Sequence, residues 1–355
     1  LSKYLFDGHK LIWHMDRVHA HFRDNKRIYP LHIDIGVDKC CNAKCIYCYG
    51  IFQKMTNEMI PSDILYKLFD DAPKLGIKSL VMTGDGEPSL NKGVWDAIRV
   101  GKYNKLDIGF ATNGIALDSE KKMCLMVGCT WVRFNLSAVN SESYKLIHGV
   151  DKWSKVKENI ETAVATKKKY GLSCTIGLQM VLIPQCADQI LAEAEFAVKT
   201  GVDYFVIKQF SDPNCKEMSQ FNLSWYDNPV LLDTLKKAEA MSTDRTKIIA
   251  KWGMIASKGV RPYDHCVDCP LLFQISGSGK CYPCGYLFGD DRYCYGDLNK
   301  QSLKEILDSE HYWNIIKYMR EEFDVHKQCS GCCRHDATNA FIWEYINEPY
   351  HINFI

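Results

Sequence analysis

From Leu31 to about Lys208 the chain alternates short runs of β-branched and aromatic residues with longer segments whose apolar positions recur every three or four residues. Short strands interleaved with amphipathic helices are the signature of βαβ units and a parallel sheet. The pattern predicts strands at 31–37, 78–83, 107–112, 131–137, 173–183 and 203–209, with helices at 62–75, 92–103, 118–127, 154–170 and 187–200 between them. Six repeats fall short of the eight that close a barrel, so the expected fold class is α/β, an open partial (β/α)6 TIM-like barrel.

Residues 210–260 read as a connector with a helical stretch near 228–242. From about residue 261 cysteines, glycines and tyrosines dominate, and Ser302 with Glu305 forms a capping-box pattern at the start of a helix. The expected division is an N-terminal extension over 1–30, the barrel over 31–245, and a small α+β domain with a C-terminal helix over 246–355. The last stretch, Asp336 to Ile355 with Asn339, Trp343 and His351, either closes over the site or packs the C-terminus.

Ligands of parallel α/β folds collect at the C-terminal ends of the strands, and polar residues concentrate there in this chain. A cysteine loop follows the first strand, Thr83-Gly-Asp-Gly-Glu-Pro88 the second, Thr112-Asn-Gly114 the third, and Asn135-Leu-Ser137 ends the fourth. Lys208 ends the sixth, placed either to face a substrate anion or to extend past the last turn into water.

A formal net charge of +1 over 355 residues shows no bias toward nucleic acid, and Lys167-Lys168-Lys169 is the one compact basic run. No stretch nears the roughly 20 apolar residues that span a bilayer, and the N-terminus lacks a secretory pattern, so a cytoplasmic protein without a membrane partner is expected. Seventeen cysteines in a reducing compartment point to metal binding rather than disulfides. They cluster near residue 40, between 266 and 284, and at 329–333; Cys124, Cys129, Cys174, Cys186, Cys215 and Cys294 are scattered and read as small buried hydrophobes.

Cys41, Cys45 and Cys48 place three thiols on one short segment, a spacing that suits an iron-sulfur cluster with one iron left open. Zinc is the plain alternative, but three clustered thiols without a fourth ligand nearby fit it poorly. Cys40 is an unsuitable fourth, because neighbouring side chains on an extended segment point to opposite sides. Here the chain resembles the radical SAM superfamily, in which the open iron of a 4Fe-4S cluster chelates S-adenosylmethionine and an electron from the cluster cleaves it to a 5'-deoxyadenosyl radical. The resemblance places Tyr47 near the adenine. It also matches Gly84-Asp-Gly-Glu87-Pro to the Gly-Gly-Glu-Pro motif that binds the amino group of S-adenosylmethionine, with Asp85 in place of the second glycine. Ser137 matches a residue that meets the ribose or carboxylate, and Asn113, Arg133 and Gln179 hold positions where similar contacts occur. Each of these four could equally complete hydrogen bonding inside the barrel.

Cys269 is followed after nine residues by Gly279 and after four more by Cys284; Gly277-Ser-Gly279 reads as a hairpin turn, and Cys329-Ser-Gly-Cys332-Cys333 precedes the last helix. This region, with Gly296-Asp-Leu298, resembles the SPASM and Twitch extensions that hold auxiliary 4Fe-4S clusters. The resemblance implies one auxiliary cluster on Cys266, Cys284, Cys329 and Cys333, with Cys269, Cys281 and Cys332 as alternates; a structural zinc site would satisfy the same thiols. It further implies an oxidoreductase-type enzyme served by a flavodoxin- or ferredoxin-type electron donor. Relatives include small-molecule dehydrogenases, cyclases and peptide maturases. The 40 residues ahead of Cys41 are too few for a leader-binding domain, so the expected substrate is a small polar metabolite such as a sugar or nucleotide sugar. A peptide or protein maturase and a non-catalytic metal-cluster protein are the alternatives.

Overall fold

The computed structural model of the chain describes residues 4, 7–48, 50, 55–211, 223–330, 333–348 and 350–354. The six strands expected from the pattern are present as β1 (His32–Ile35), β2 (Ser79–Met82), β3 (Asp107–Thr112), β4 (Trp131–Asn135), β5 (Thr175–Leu182) and β6 (Tyr204–Gln209). Each pairs in parallel with the next. Helices Ser62–Lys74, Val94–Tyr103, Ser119–Gly128, Trp153–Tyr170 and Ile190–Thr200 lie between them in the chain, within a few residues of the expected spans.

The segment read as a connector also contains β7 (Lys247–Ala250), which extends the sheet beyond β6. Its Ile248, Ile249 and Ala250 are too short a run to show alternation. A second addition joins the other edge. β8 (Leu272–Ile275) pairs in parallel with β1, and β9 (Lys280–Tyr282) and β10 (Gly296–Asp297) follow it antiparallel. The resulting sheet runs β10-β9-β8-β1-β2-β3-β4-β5-β6-β7 with no pairing between its edges, an open barrel.

Side chains alternate across these strands. Ile33, Ile35, Leu80, Met82, Ile108, Phe110, Val132, Phe134, Ile176, Leu178, Phe205 and Ile207 are buried in one cluster that includes the apolar faces of the helices. The intervening positions face inward, where Asp34 and Lys208 line one cavity and Val81, Gly109, Arg133 and Tyr204 another. One face therefore holds the fold together, and the other presents chemistry.

The hydrophobic pattern leaves helix Ser141–His148 unmarked, because it buries only Tyr144, Ile147 and His148. Asn140 caps it by accepting from the Ser143 amide at 2.8 Å, and Gly149 ends it at φ 68°, where a side chain would be strained. Helix Asp336–Ile346 packs the C-terminus: Ile342 joins Leu11, Val18 and Phe22, and buried Asn339 accepts from the Val267 and Asp268 amides at 2.8 and 3.0 Å.

Candidate functional site

The loop after β1 carries Cys41, Cys45 and Cys48 and is pinned along helix Ser141–His148. The Lys44 amide donates to the His148 carbonyl and the Ile46 amide to that of Ile147, both at 2.9 Å. Cys41 Sγ accepts from the Ala43 amide at 3.4 Å and faces Asn113 Nδ2 at 3.7 Å. Cys40 turns the other way, toward the Thr56 carbonyl at 3.5 Å. None of the three loop thiols is in a disulfide. Burial pushes the Cys41 thiol up to about 11, with Glu87 and Cys48 adding to the rise; burial, Cys48 and Cys41 also raise Cys45. Cys41, Cys45 and Cys48 thus lie within electrostatic reach of one another, and Cys41 and Cys45 stay neutral until a cation takes the place of their protons. Among the described residues no three His, Cys, Asp or Glu side chains converge on a single-ion site. A cluster that spreads its thiolates over separate irons needs no such point, so the donor set fits an iron-sulfur group.

Residues 84–87 lie directly on this loop. The Glu87 amide donates to the Cys40 carbonyl at 2.7 Å, and a Cβ at Gly86 would stand 1.9 Å from Asp38 Oδ1 and 2.5 Å from that carbonyl. Gly84, at φ 151°, lets the backbone approach Gly36. The Glu87 carboxylate is buried and accepts from Thr112 Oγ1 at 2.6 Å, the Asn113 amide at 2.7 Å and the Ser89 amide at 3.2 Å. It ties the loop after β2 to the end of β3. Asn113 Nδ2 continues the link to Asn42 at 2.6 Å. Ser137 is fully buried; its Oγ meets the Tyr47 hydroxyl at 3.3 Å and accepts from the Val181 amide at 3.1 Å. Gln179 donates to Asn135 Oδ1 at 3.1 Å on the inner face. The structure thus brings Tyr47, Glu87, Asn113 and Ser137 to the cysteine loop, while Gly84 backs onto Gly36 and lines the cavity of the later cysteines, and Gln179 on β5 is linked to the strand that leads to Ser137.

The residue that sequence reasoning missed here is His148. Its Nε2 accepts from the Ser137 amide at 3.2 Å, so Nδ1 carries the proton and faces Cys45 Sγ at 3.2 Å. Burial pushes the imidazole down to about 3, which keeps it in this neutral tautomer. A histidine ahead of a helix-ending glycine is a faint signal, and nothing in its spacing links it to residue 45.

Farther along the inner face the later cysteines assemble. Cys284, Cys329 and Cys333 line a cavity of about 260 Å³ with Asp34, Thr83, Asp85, Lys208 and Arg334. Burial raises Cys333, with contributions from Cys329 and Cys284, while Cys266 is raised by a hydrogen bond to Cys269, by burial and by Cys333. Cys266, Cys284, Cys329 and Cys333 therefore lie within electrostatic reach of one another. Cys281 is raised by burial and by Cys294 instead, and Cys269 stands near Cys266. Cys332 lies outside the described residues. Arg261 donates to the Ser330 carbonyl beneath this loop.

Two contacts join the cysteine regions. Asp85 reaches across to accept from the Gly277 amide at 3.1 Å, in the hairpin between β8 and β9. Burial pushes this carboxyl up to about 6. Asp34 on β1 pairs with Arg334 at 2.9 Å and faces His335 at 3.3 Å and His32 at 3.0 Å. Burial alone would raise Asp34, but Arg334 and His32 outweigh it and hold the carboxylate well below its usual range. The adjacent Cys333-Arg334-His335 sets two basic residues beside a candidate ligand, but nothing in that run points to Asp34 on the first strand.

Residues 38–197 match the radical SAM superfamily and residues 271–333 the SPASM iron-sulfur cluster-binding domain. A probable GTP 3',8-cyclase of Thermococcus kodakarensis is 28% identical over 71% of this chain and 84% of its own length. The tungsten-containing aldehyde ferredoxin oxidoreductase cofactor-modifying protein of Pyrococcus furiosus is 24% identical over 86% of this chain and 88% of its own. Among solved structures, Streptococcus suis SuiB bound to S-adenosylmethionine superposes on 98% of this chain and 78% of its own with a TM-score of 0.65 at 14% identity, a likeness of fold. No helix among the described residues is long and apolar enough to cross a membrane. The cofactors of these families are a 4Fe-4S cluster with S-adenosylmethionine and auxiliary iron-sulfur clusters, and the two cysteine groups supply thiols of the matching kind. The chain carries a radical SAM domain over residues 38–197 and, on its C-terminal side, a SPASM iron-sulfur cluster-binding domain over residues 271–333.

Proposed function

We propose that this enzyme acts on a small polar metabolite, of the size and polarity of a sugar or nucleotide sugar, in the space between the barrel strand ends and the later cysteines. The observation that carries this reading is the cavity of about 260 Å³ lined by Asp34, Thr83, Asp85, Lys208, Arg334 and three auxiliary thiols. Its size is near the lower end of small-ligand sites, roughly 300 Å³, and it sits where parallel α/β folds bind ligands. GTP, in the name of the Thermococcus relative, is a molecule of this polar class.

The chemistry supplied when the cofactors are bound is reductive cleavage of S-adenosylmethionine to the 5'-deoxyadenosyl radical, which takes hydrogen from an unactivated carbon. In this reading Cys41, Cys45 and Cys48 hold the first cluster, and Tyr47, Gly84, Glu87, Asn113, Ser137 and Gln179 form the surroundings of S-adenosylmethionine. Cys266, Cys284, Cys329 and Cys333 hold one auxiliary cluster beside the substrate. A flavodoxin- or ferredoxin-type protein provides the electron. The cavity walls orient the substrate and exclude water, since a primary alkyl radical attacks whatever lies near it.

The test is an anaerobic assay with reductant, S-adenosylmethionine and deuterated sugars and nucleotide sugars. Deuterium is expected in 5'-deoxyadenosine with the true substrate class. Replacing Cys41, Cys45 or Cys48 with Ala is expected to abolish 5'-deoxyadenosine formation; retained formation refutes the assignment of these ligands. Transfer of deuterium only from a labelled peptide would move the enzyme to the maturases.

A further inference from the structure

A second cavity, of about 480 Å³, lies at the opposite end of the barrel, among the residues that begin the strands, such as Ser79, Asp107, Trp131, Thr175 and Tyr204. It shares only His335 with the cavity of the later cysteines, and its volume falls within the range of small-ligand sites, roughly 300–1,000 Å³. Leu11, Leu31, Val81, Ile108 and Leu271 make much of its wall apolar, and Tyr4, stacked on Tyr204 with ring centres 4.9 Å apart, closes one side. Arg133 lines it from β4. Its guanidinium carbon stands 5.3 Å from the centre of the Trp131 ring, a cation–π contact that fixes the fork in place. Trp131 itself lies against Gly109, where a Cβ would stand 2.3 Å from the ring.

The Arg133 Nε is buried without a hydrogen-bond partner, and among the described residues no carboxylate pairs with this guanidinium. Asp34, whose charge reaches it, is already paired with Arg334 at 2.9 Å, and Arg334 opposes its effect. Burial is the main influence on Arg133 and lowers its pKa, the mark of a charge held out of water. The other ionisable groups of the cavity leave that charge standing. Lys10 and Lys78 at the rim are matched in number by Asp7 and Asp107. Burial, then Arg17, hold His14 below its usual range, so it is uncharged at pH 7. His32 and His335 are turned to Asp34.

We propose that this cavity binds a monocarboxylate with an apolar body, its two oxygens on the Arg133 fork and its body against Trp131 and the leucines. The site stands apart from the radical chemistry and does not rest on the substrate reading above. One uncompensated cation calls for one negative charge, which a carboxylate supplies. A phosphoryl group brings about −1.5 to −2 at pH 7 and would carry surplus charge into an apolar chamber, where it is costly. A guanidinium also offers two parallel N–H groups that match the two oxygens of a carboxylate. A sugar would leave both its hydroxyls and the cation without partners along this wall.

The test is a calorimetric titration of the reconstituted holoenzyme with benzoate and octanoate, which differ in the body, and with benzyl alcohol and inorganic phosphate as controls. At least one carboxylate is expected to bind, and the better of the two tells whether the body is a ring or an alkyl chain. Arg133→Met is expected to weaken that carboxylate by about tenfold or more. Arg133→Lys keeps the charge without the fork and is expected to fall between the native chain and Arg133→Met. Iron content and the thermal transition of each variant separate misfolding from lost binding, and if Arg133→Met fails this check the loss is read from Arg133→Lys. Neither carboxylate bound, binding unchanged in the folded Arg133 variants, or benzyl alcohol or phosphate bound as tightly as the better carboxylate overturns the proposal.

Discussion

The imidazole of His148 donates toward Cys45 Sγ because the Ser137 amide occupies its other nitrogen. Hydrogen bonds to the sulfurs of an iron-sulfur cluster shift its reduction potential, stabilising the more negative reduced state. His148→Phe is therefore expected to keep the iron but lower the midpoint potential of the first cluster, read by a redox titration followed by electron paramagnetic resonance; an unchanged potential removes this role. The Gly86 position gives a complementary case. A methyl group there would meet the Cys40 carbonyl at 2.5 Å, a backbone atom that cannot swing aside. Gly86→Ala is expected to displace the cysteine loop and cost the first cluster its roughly four irons while the later cysteines keep theirs, checked by iron analysis and spectra of each cluster. The glycines and cysteines of this loop were legible in the sequence because their types carry the chemistry. His148 was not, since it acquires meaning from a partner that only folding brings near.

At the scale of elements, strands whose alternation ran over several residues were readable, and the short ones were not. β7 offers Ile248, Ile249 and Ala250 inside a polar stretch, and β8 belongs to a pairing with β1, which precedes it by 240 residues at Asp34 and Gln274. Periodicity reports which side of an element is apolar, not which distant strand it will join. Asp85 shows how such elements lock together: it departs from the family motif, and its carboxylate reaches the Gly277 amide of the β8–β9 hairpin. Burial raises its pKa from the ordinary carboxylate value of 3.8 to about 6, so the folded state binds the extra proton between these values. Stability from this group falls as pH rises through that window and stays low above it. Asp85→Asn keeps an oxygen for the Gly277 amide but cannot ionise. Its stabilisation relative to the native chain is expected to be larger by about 1 kcal/mol at pH 7.5 than at pH 5, measured by denaturant unfolding at both values; a pH-independent difference would contradict the burial argument.

Across the whole molecule the two cysteine groups flank one inner face, and the expected metal content follows. A chain with both clusters holds about eight irons, and Cys329→Ala combined with Cys333→Ala is expected to leave about four; zinc in place of the missing iron would assign the later thiols to a structural site instead. The open barrel and both cysteine groups could be anticipated from the chain, because repeated βα units and ligand spacing are local. The network of Asp34, Arg334 and His335 could not, because it joins the first strand to residues beyond the last cysteine. The parallel pairing of β8 with β1 has a consequence for how the chain can be cut. Because β8 continues the sheet, the SPASM region is not a bead on a tether. A shortened protein ending before Leu272 would keep the β2 partners of His32–Ile35 but strip those on the β8 side and leave a raw edge strand. Such an edge recruits strands from other molecules. Self-association of the shortened chain, rather than a tidy monomer lacking one cluster, is the outcome to expect in sedimentation.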